Sequence, residues 1–238
     1  MTVDEAIILA GGKGTRLNAV VPDRPKPMAV INGRPFLEYL LDFLLAQGIE
    51  KVILSVGFRS EMIISHFGSR YKNAALSYAE ETSPLGTGGG IRNALTRVSG
   101  KKVFIVNGDT FFRIPLPLMV EEFDRKGAEI LLALHPVSTP ERYGVVSMHE
   151  NGSIASFSEK PRESGPSLVN GGIYLMGTGI FNRFDLPPAF SLEKDFLGKN
   201  SGKIRIFGLS FDHDFIDIGI PETYRQASTF FGNEEIAK

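Results

Sequence analysis

The chain has 238 residues, with 26 Lys and Arg against 27 Asp and Glu, a formal net charge of -1 and no cysteine. The near-balance of charge argues against a nucleic-acid binder that depends on bulk electrostatics, although a basic loop could still hold one small anion. Without cysteine there is no disulfide framework, thiolate zinc site or cysteine nucleophile. The length suits one large domain with a sizeable core. No apolar stretch approaches the ~20 residues needed to cross a bilayer, and the N-terminus leads into a strand-like run without the regions of a secretion signal. A cytoplasmic protein is expected.

Taken in chain order, "AIILA" reads as a buried strand and "FLEYLLDFLLAQG" as a packed helix ending at Gly48. "KVILSVG" is a strand, "SEMIISHFG" a helix opened by Ser60, "ALSYAE" a strand and "TGGGIRNALTRV" a helix entered through glycines. "KVFIVNG" (strand), "LMVEEFDRKG" (helix) and "EILLALHPV" (strand) continue the alternation. Repeated βα units of this kind predict a largely parallel sheet with helices on both faces. After Pro136 the rhythm changes: "YGVVSMHENGSIASFSEKP" reads as two strands joined by an Asn151-Gly152 turn. "GGIYLMG", "KIRIFGLS" and "FIDIG" are short strands, and "PETYRQASTFF" is a closing helix with Pro221 in its first turn. "DLPPAFSLEKD" is the expected loop insertion. One domain is therefore expected, with an α/β half over about 1–135 and a strand-rich half over about 136–238 sharing its sheet.

"LAGGKGTRL", Leu9 to Leu17, follows the first strand. A glycine-rich loop in that place exposes backbone N–H groups that can ring a phosphate. The dinucleotide fingerprint G-x-G-x-x-G fits Gly12 and Gly14 but meets Leu17 at its sixth place, and the P-loop fails because Lys13 is followed by Gly14. The bland reading is a tight βα turn with solvated cations. "VNGDT" puts Asp109 just past an apolar strand, at the carboxyl end where open α/β sheets bind ligands. Asp217 in "FIDIG" is a second strand-end carboxylate. Such oxygens suit magnesium, although a lone Asp there is more often a turn residue.

The loop together with "RPKPM" resembles the sugar-1-phosphate nucleotidylyltransferases. That resemblance implies a Rossmann-like (GT-A-like) fold, with a mixed, mostly parallel sheet. It implies that Leu9, Ala10, Gly11, Gly12, Gly14 and Thr15 wrap a nucleoside triphosphate, with Arg16 and Lys26 on its phosphates. Pro25 and Pro27 would stiffen the segment that delivers Lys26. In "LGTGGGI", Thr87 could cap a helix while Gly86, Gly88 and Gly89 let a flat base approach; Gly108 in "VNGDT" is also expected to bind substrate. Matching aspartates, Asp109 and Asp217, would hold Mg2+ on the triphosphate. In "FSEKP" the resemblance puts Lys160 on the sugar phosphate and Glu159 on sugar hydroxyls, with Asn170 of "VNGGIYL"; Tyr174 of the same stretch is also expected to bind substrate, and Gly144 in "RYGVV" matches a position whose backbone faces the sugar. Each signal is weak alone; their order spans Leu9 to Asp217.

The reaction implied is sugar 1-phosphate plus nucleoside triphosphate giving nucleotide-sugar and pyrophosphate. Glu81 precedes the "LGTG" segment, and a carboxylate, which only accepts hydrogen bonds, suits the N1–H and N2–H2 of guanine. "PKPM", "PLGTGGGI", "NGDT", "SLEKDFL" and "FIDIGIPETY" together are most similar to the D-glycero-α-D-manno-heptose 1-phosphate guanylyltransferases. Mannose-1-phosphate guanylyltransferases and N-acetylmuramate-1-phosphate uridylyltransferases share much of the pattern. A nucleotide- or sugar-sensing module without turnover is the alternative of another class, and a glycosyltransferase a third. Partners other than the two substrates, nucleic acid and membrane included, are not expected, and a homodimer stays open. "DHD", Asp212 to Asp214, reads as a polar loop, and His66, His135, His149 and His213 lack metal-ligand spacing.

Overall fold

The apolar run near the N-terminus forms β1 (Glu5–Ala10), the middle of the sheet. The computed structural model describes residues 3–12, 14, 16–17, 20–138, 140, 144–158 and 166–232. After β1 come a tight 3-10 turn over Lys26–Met28, the small hairpin β2 (Val30–Ile31) and β3 (Arg34–Pro35), and α1 (Phe36–Ala46). Next are β4 (Lys51–Val56), α2 (Ser60–Phe67), β5 (Arg70–Tyr71), β6 (Ala74–Glu80), α3 (Gly86–Leu95), β7 (Lys102–Asn107) and β8 (Thr110–Phe112). The second half carries α4 (Leu116–Lys126), β9 (Ile130–Val137), β10 (Val145–Met148), β11 (Ile154–Ser158) and β12 (Ser167–Gly177). A π-helical turn over Leu192–Leu197 runs into α5 (Gly198–Asn200), followed by β13 (Ile206–Ser210), β14 (Phe215–Asp217) and α6 (Pro221–Gly232).

Strands β7, β1, β4 and β6 pair in parallel, with Ile7 opposite both Ile53 and Ile105. This is the parallel core that the alternating apolar runs predict. Strand β12 then joins β7 antiparallel and also pairs with β9 and β10, so both halves share one sheet. The order is β11-β10-β12-β7-β1-β4-β6-β5, with β9 and β13 branching from β12. Successive side chains alternate between the faces. Ala6, Ile8, Phe104 and Val106 enter the core under α1, α2, α4 and α6, while Ile7, Val103 and Ile105 enter the one under α3 and residues 180–197. Among the described residues no helix is long and apolar enough to cross a membrane.

Three local readings change. Ser60 is the first residue of α2, but the turn before it is made by Arg59 in the left-handed region at φ 54°. Residues 185–195 are not a free insertion: they pack on α3 and Arg92 donates to the carbonyls of Leu186, Pro187 and Pro188. That packing explains the glycines of α3. A Cβ at Gly88 would lie 2.1 Å from the Phe190 ring, and one at Gly89 2.6 Å from the Pro188 carbonyl oxygen.

Where the sheet meets the cleft, Gly108 N–H donates to the Leu9 carbonyl at 3.0 Å. A Cβ on Gly108 would lie 2.4 Å from that same oxygen, which is backbone and cannot swing aside. Gly108→Ala should therefore destabilise the fold by about 1–3 kcal/mol, in the range of overpacked sites. A urea-unfolding midpoint equal to the wild type would show that the β1–β7 junction has slack.

Candidate active site

The carboxyl ends of β1, β4, β6 and β7 and the neighbouring loops enclose a cleft of about 1180 Å³. One wall is the stretch Leu9–Gly12, with Gly14 and Arg16 beyond it. The loop keeps its shape through Leu17, whose buried side chain anchors it and whose N–H donates to the Gly14 carbonyl at 2.9 Å. The residue that breaks the dinucleotide fingerprint is thus the loop's apolar foot. Thr15 lies outside the described residues.

Lys26 enters from the 3-10 turn. Pro25 is extended at φ -67°, Met28 N–H donates to its carbonyl at 2.8 Å, and Pro27 and Met28 are buried. The lysine stem crosses Gly14, where a Cβ would meet Lys26 Cγ at 2.6 Å. Its Nζ pairs with Asp109 Oδ2 at 2.9 Å, the two side chains being 13% and 31% exposed. An ammonium has three donors, so this contact leaves two for other acceptors.

Asp109 lies with Gly108 in the two-residue turn between β7 and β8. Asp217 ends β14, which pairs with β8 so that Asp217 lies opposite Thr110, and Ile218 N–H donates to the Asp109 carbonyl at 2.9 Å. Both carboxylates thus line the cleft side by side. Burial pushes the Asp217 carboxyl above the usual carboxylate range, and the charge on Asp109 adds to the rise. The Gly219 N–H, which donates to Asp217 Oδ1 at 2.6 Å, opposes it, as do the charges of Lys26 and Arg16. Arg16, Lys26, Asp109 and Asp217 therefore meet at one place.

Glu81 is reached from the other end. Its Oε2 accepts from Leu85 N–H at 3.0 Å and its Oε1 from Ser55 Oγ at 3.3 Å. A Cβ on Gly11 or Gly90 would come within 3.1 or 2.8 Å of Oε1, so those glycines make room for this carboxylate. Gly86 and Thr87 line the cleft, but Gly88 and Gly89 are buried against residues 188–190 and do not reach it. Thr87 does not cap α3 either. Its Oγ1 donates to Glu193 Oε2 at 3.1 Å and accepts from Leu192 N–H at 2.8 Å.

On the opposite side, β12 breaks register between Asn170 and Tyr174, at Gly171 and Gly172. Gly172 takes φ 76°, and a Cβ on Gly171 would lie 2.4 Å from the Phe112 ring. The bulge re-aims the strand, as bulges beside binding sites do. Asn170 then faces the cleft with Gly144, whose carbonyl accepts from Asn170 N–H at 3.4 Å. Tyr174 is placed differently from the sequence expectation. It is fully buried behind the wall, and its hydroxyl links Asn170 to Glu193. Glu159 and Lys160 lie outside the described residues.

A family model described as "Nucleotidyl transferase" matches residues 5–232. The chain belongs to that family. Among nucleotidyl transferases it is 45% identical to the D-glycero-alpha-D-manno-heptose 1-phosphate guanylyltransferase of Aneurinibacillus thermoaerophilus, over 94% of this chain and 96% of that protein. It is 43% identical to the protein of the same name from Campylobacter jejuni, over 92% of this chain and 96% of that one. The crystal structure of HddC from Yersinia pseudotuberculosis complexed with GMP-PN superposes with a TM-score of 0.85 at 33% identity, covering 96% of this chain and all of that one.

Several cleft residues of this nucleotidyl transferase escape the sequence reading. Asn107, two positions before Asp109, could have been found from its place at a strand end. Ser191 and Glu193 sit in the "SLEKDFL" stretch, which carries the family resemblance without revealing which side chains face inward. Phe58, Phe157 and Phe215 also line the cleft, and nothing in the sequence separates them from core phenylalanines. The four histidines stay apart from it. His66 meets Glu38, His135 meets the Phe211 carbonyl and stacks on Phe215, and among the described residues no cluster of three or more His, Asp and Glu could hold a metal. Asp214 pairs with Arg113 in the polar loop expected of "DHD".

The raised carboxyl of Asp217 has a stability consequence. Above its ordinary 3.8 the unfolded state releases this proton while the folded state keeps it, so the folded state binds more protons and stability falls as pH rises through that window. Asp217→Asn removes the cost. In buffer stripped of divalent cations the variant should unfold at a higher temperature than the wild type at pH 7, with the gap closing toward about pH 4. A wild type of equal or greater stability at pH 7 would contradict this reading of the carboxylate pair.

Proposed function

We propose that the chain joins D-glycero-α-D-manno-heptose 1-phosphate to GTP, giving the GDP-sugar and pyrophosphate, as a Mg2+-dependent sugar-1-phosphate nucleotidylyltransferase acting in the cytoplasm. The observation that carries this reading is the meeting of Arg16, Lys26, Asp109 and Asp217 in one cleft, between a glycine-lined base side and a sugar side bearing Asn170 and Gly144. The choice of heptose and guanine draws on the activity named for the two relatives that align over almost their whole length.

A phosphate monoester is already anionic near neutral pH, so its oxygen needs no general base. The difficulty is to bring two polyanions together and to stabilise the charge that develops on the leaving group; positioning and electrostatics answer most of it. Lys26, with two donors left after Asp109, and the exposed Arg16 face the departing pyrophosphate. Gly11, Gly12 and Gly14 bring backbone close to the nucleotide. Lys160, carried over from the family resemblance, holds the attacking phosphate in line with the α-phosphorus. Glu159 and Asn170 take sugar hydroxyls.

The two carboxylates fit a magnesium ion, which takes one or two protein carboxylates and completes its shell with phosphates and water. Their mutual repulsion, felt in the raised carboxyl of Asp217, is what a divalent cation relieves. When bound, the ion supplies charge neutralisation on the triphosphate. Glu81 suits guanine because the acceptor capacity remaining on its Oε1 meets base N–H donors.

Pyrophosphate release across four nucleoside triphosphates and a set of sugar 1-phosphates tests the reading. GTP with the heptose 1-phosphate should give the highest kcat/KM. Release with no pair would leave the sensing module, and consumption of a nucleotide-sugar without pyrophosphate would point to a glycosyltransferase. Lys26→Ala or Asp109→Ala should each lower kcat by about 10²–10³-fold with the fold intact, the scale of losing one transition-state electrostatic contact. Near-normal turnover in either purified variant would remove that residue from the mechanism. Glu81→Gln should lower the preference for GTP over UTP by about tenfold or more; an unchanged ratio would take base reading away from Glu81.

A further inference from the structure

Among the described residues, Glu193 is the one acidic side chain of the cleft wall that the proposed reaction leaves without a task. It is also the most heavily engaged. Its Oε1 accepts from the Tyr174 hydroxyl at 2.8 Å, and its Oε2 from Thr87 Oγ1 at 3.1 Å and Ser191 Oγ at 3.2 Å. An ionised carboxylate only accepts, so three hydroxyl protons are drawn toward it.

The consequence runs outward along the chain of bonds. With its proton directed at Glu193, Tyr174 has only lone pairs to offer, and Asn170 must present its amide nitrogen: Nδ2 donates to Tyr174 Oη at 2.5 Å. Gly172 N–H donates to Asn170 Oδ1 at 3.0 Å, which requires the same orientation of the amide. Two independent contacts thus agree on which way Asn170 points. Tyr174 is fully buried, and burial together with the Glu193 charge holds its hydroxyl well above the ordinary tyrosine range, so it stays a donor at any working pH. In the other direction Thr87 is fixed between the Leu192 N–H and Glu193, which ties the start of α3 to the sugar wall.

We infer that Glu193 is a positioning residue for the sugar 1-phosphate: through Tyr174 it anchors the amide nitrogen of Asn170, in the orientation that the Gly172 N–H also requires, so that Asn170 is held in place for a sugar hydroxyl, and through Thr87 it locks that wall to the nucleotide side. This rests on the functional reading above, in which Asn170 meets the sugar. A glutamine at 193 has one oxygen for three donating hydroxyls: with its N–H2 toward Tyr174 it opposes that hydroxyl's proton, and with its N–H2 on the other side it opposes those of Thr87 and Ser191 and loosens the tie to α3. If Tyr174 reversed its proton to adapt, it would face the Asn170 amide nitrogen, which the Gly172 contact prevents from flipping.

The test is steady-state kinetics with GTP and the heptose 1-phosphate for the wild type, Glu193→Gln, Tyr174→Phe and the double variant. Each single substitution should raise KM for the sugar phosphate about tenfold, leave KM for GTP within about twofold and change kcat little. The double variant should be no worse than the weaker single variant, because both cut one relay. Tyr174→Phe keeps its ring in the buried slot and carries the test if Glu193→Gln does not fold. Unchanged KM for the sugar phosphate in the folded variants overturns the role of Glu193 alone. So does an equal loss for both substrates, or a fully additive double variant, since either marks a merely structural contact. A wild type that releases no pyrophosphate from any sugar 1-phosphate overturns the functional reading, and this role with it.

Discussion

Two carboxylates placed at adjacent strand ends repel each other, and the cleft is arranged around that repulsion. β7 delivers Asp109 and β14 delivers Asp217, with Ile218 N–H bonded to the Asp109 carbonyl so that neither backbone can retreat. Burial makes the second charge costly enough to raise its affinity for a proton. Lys26 answers part of the excess by pairing with Asp109. An ion pair this sheltered is costly to break from one side only, because the remaining charge is stranded in a poor solvent. In the proposed reaction that excess of negative charge is what a cation arriving with phosphates would relieve, and the lysine it holds would meet those phosphates.

Close backbone approach makes the arrangement sterically possible. Gly108 lets the end of β7 meet the end of β1, Gly14 lets the Lys26 stem cross the loop, and Gly171 with Gly172 bends β12 until Asn170 faces the cleft. A side chain at these positions would collide with backbone, with the Lys26 stem, with the Phe112 ring or with Asn107. The glycines of α3 serve a different purpose: Gly88 and Gly89 receive the 186–190 segment, which carries Ser191 and Glu193 into place. The two walls of the cleft are thereby joined twice, by the β7–β12 pairing and by the Thr87–Glu193–Tyr174 bonds.

Much of this is legible in the sequence because its signals are local. Apolar runs of strand length between amphipathic helices give the parallel core, and Asn151-Gly152 gives the β10–β11 hairpin. The same dipeptide at Asn32-Gly33, with φ 47° and 80°, makes the β2–β3 hairpin, which a reading led by apolar runs passes over because its strands have two residues each. Lys26, Asp109 and Asp217 are readable as a set because family resemblance supplies their order, strand ends mark the two carboxylates and flanking prolines mark the lysine. Long-range packing is not readable. That Gly88 meets Phe190, or that Thr87 bonds Glu193 across 106 positions, depends on how two distant segments dock. Tyr174 shows the limit well: its neighbours in sequence place it at the site, and only the fold puts it behind the wall.

The central claim, that Asp109 and Asp217 together hold one divalent cation on the triphosphate, is most directly tested by Mn2+ electron paramagnetic resonance with a non-hydrolysable GTP analogue. Manganese shares magnesium's preference for oxygen ligands. The wild type should bind one ion tightly in the presence of the analogue, and Asp109→Asn and Asp217→Asn should each lose that signal while remaining folded. A tight single-ion signal that persists in the doubly substituted protein would contradict the account.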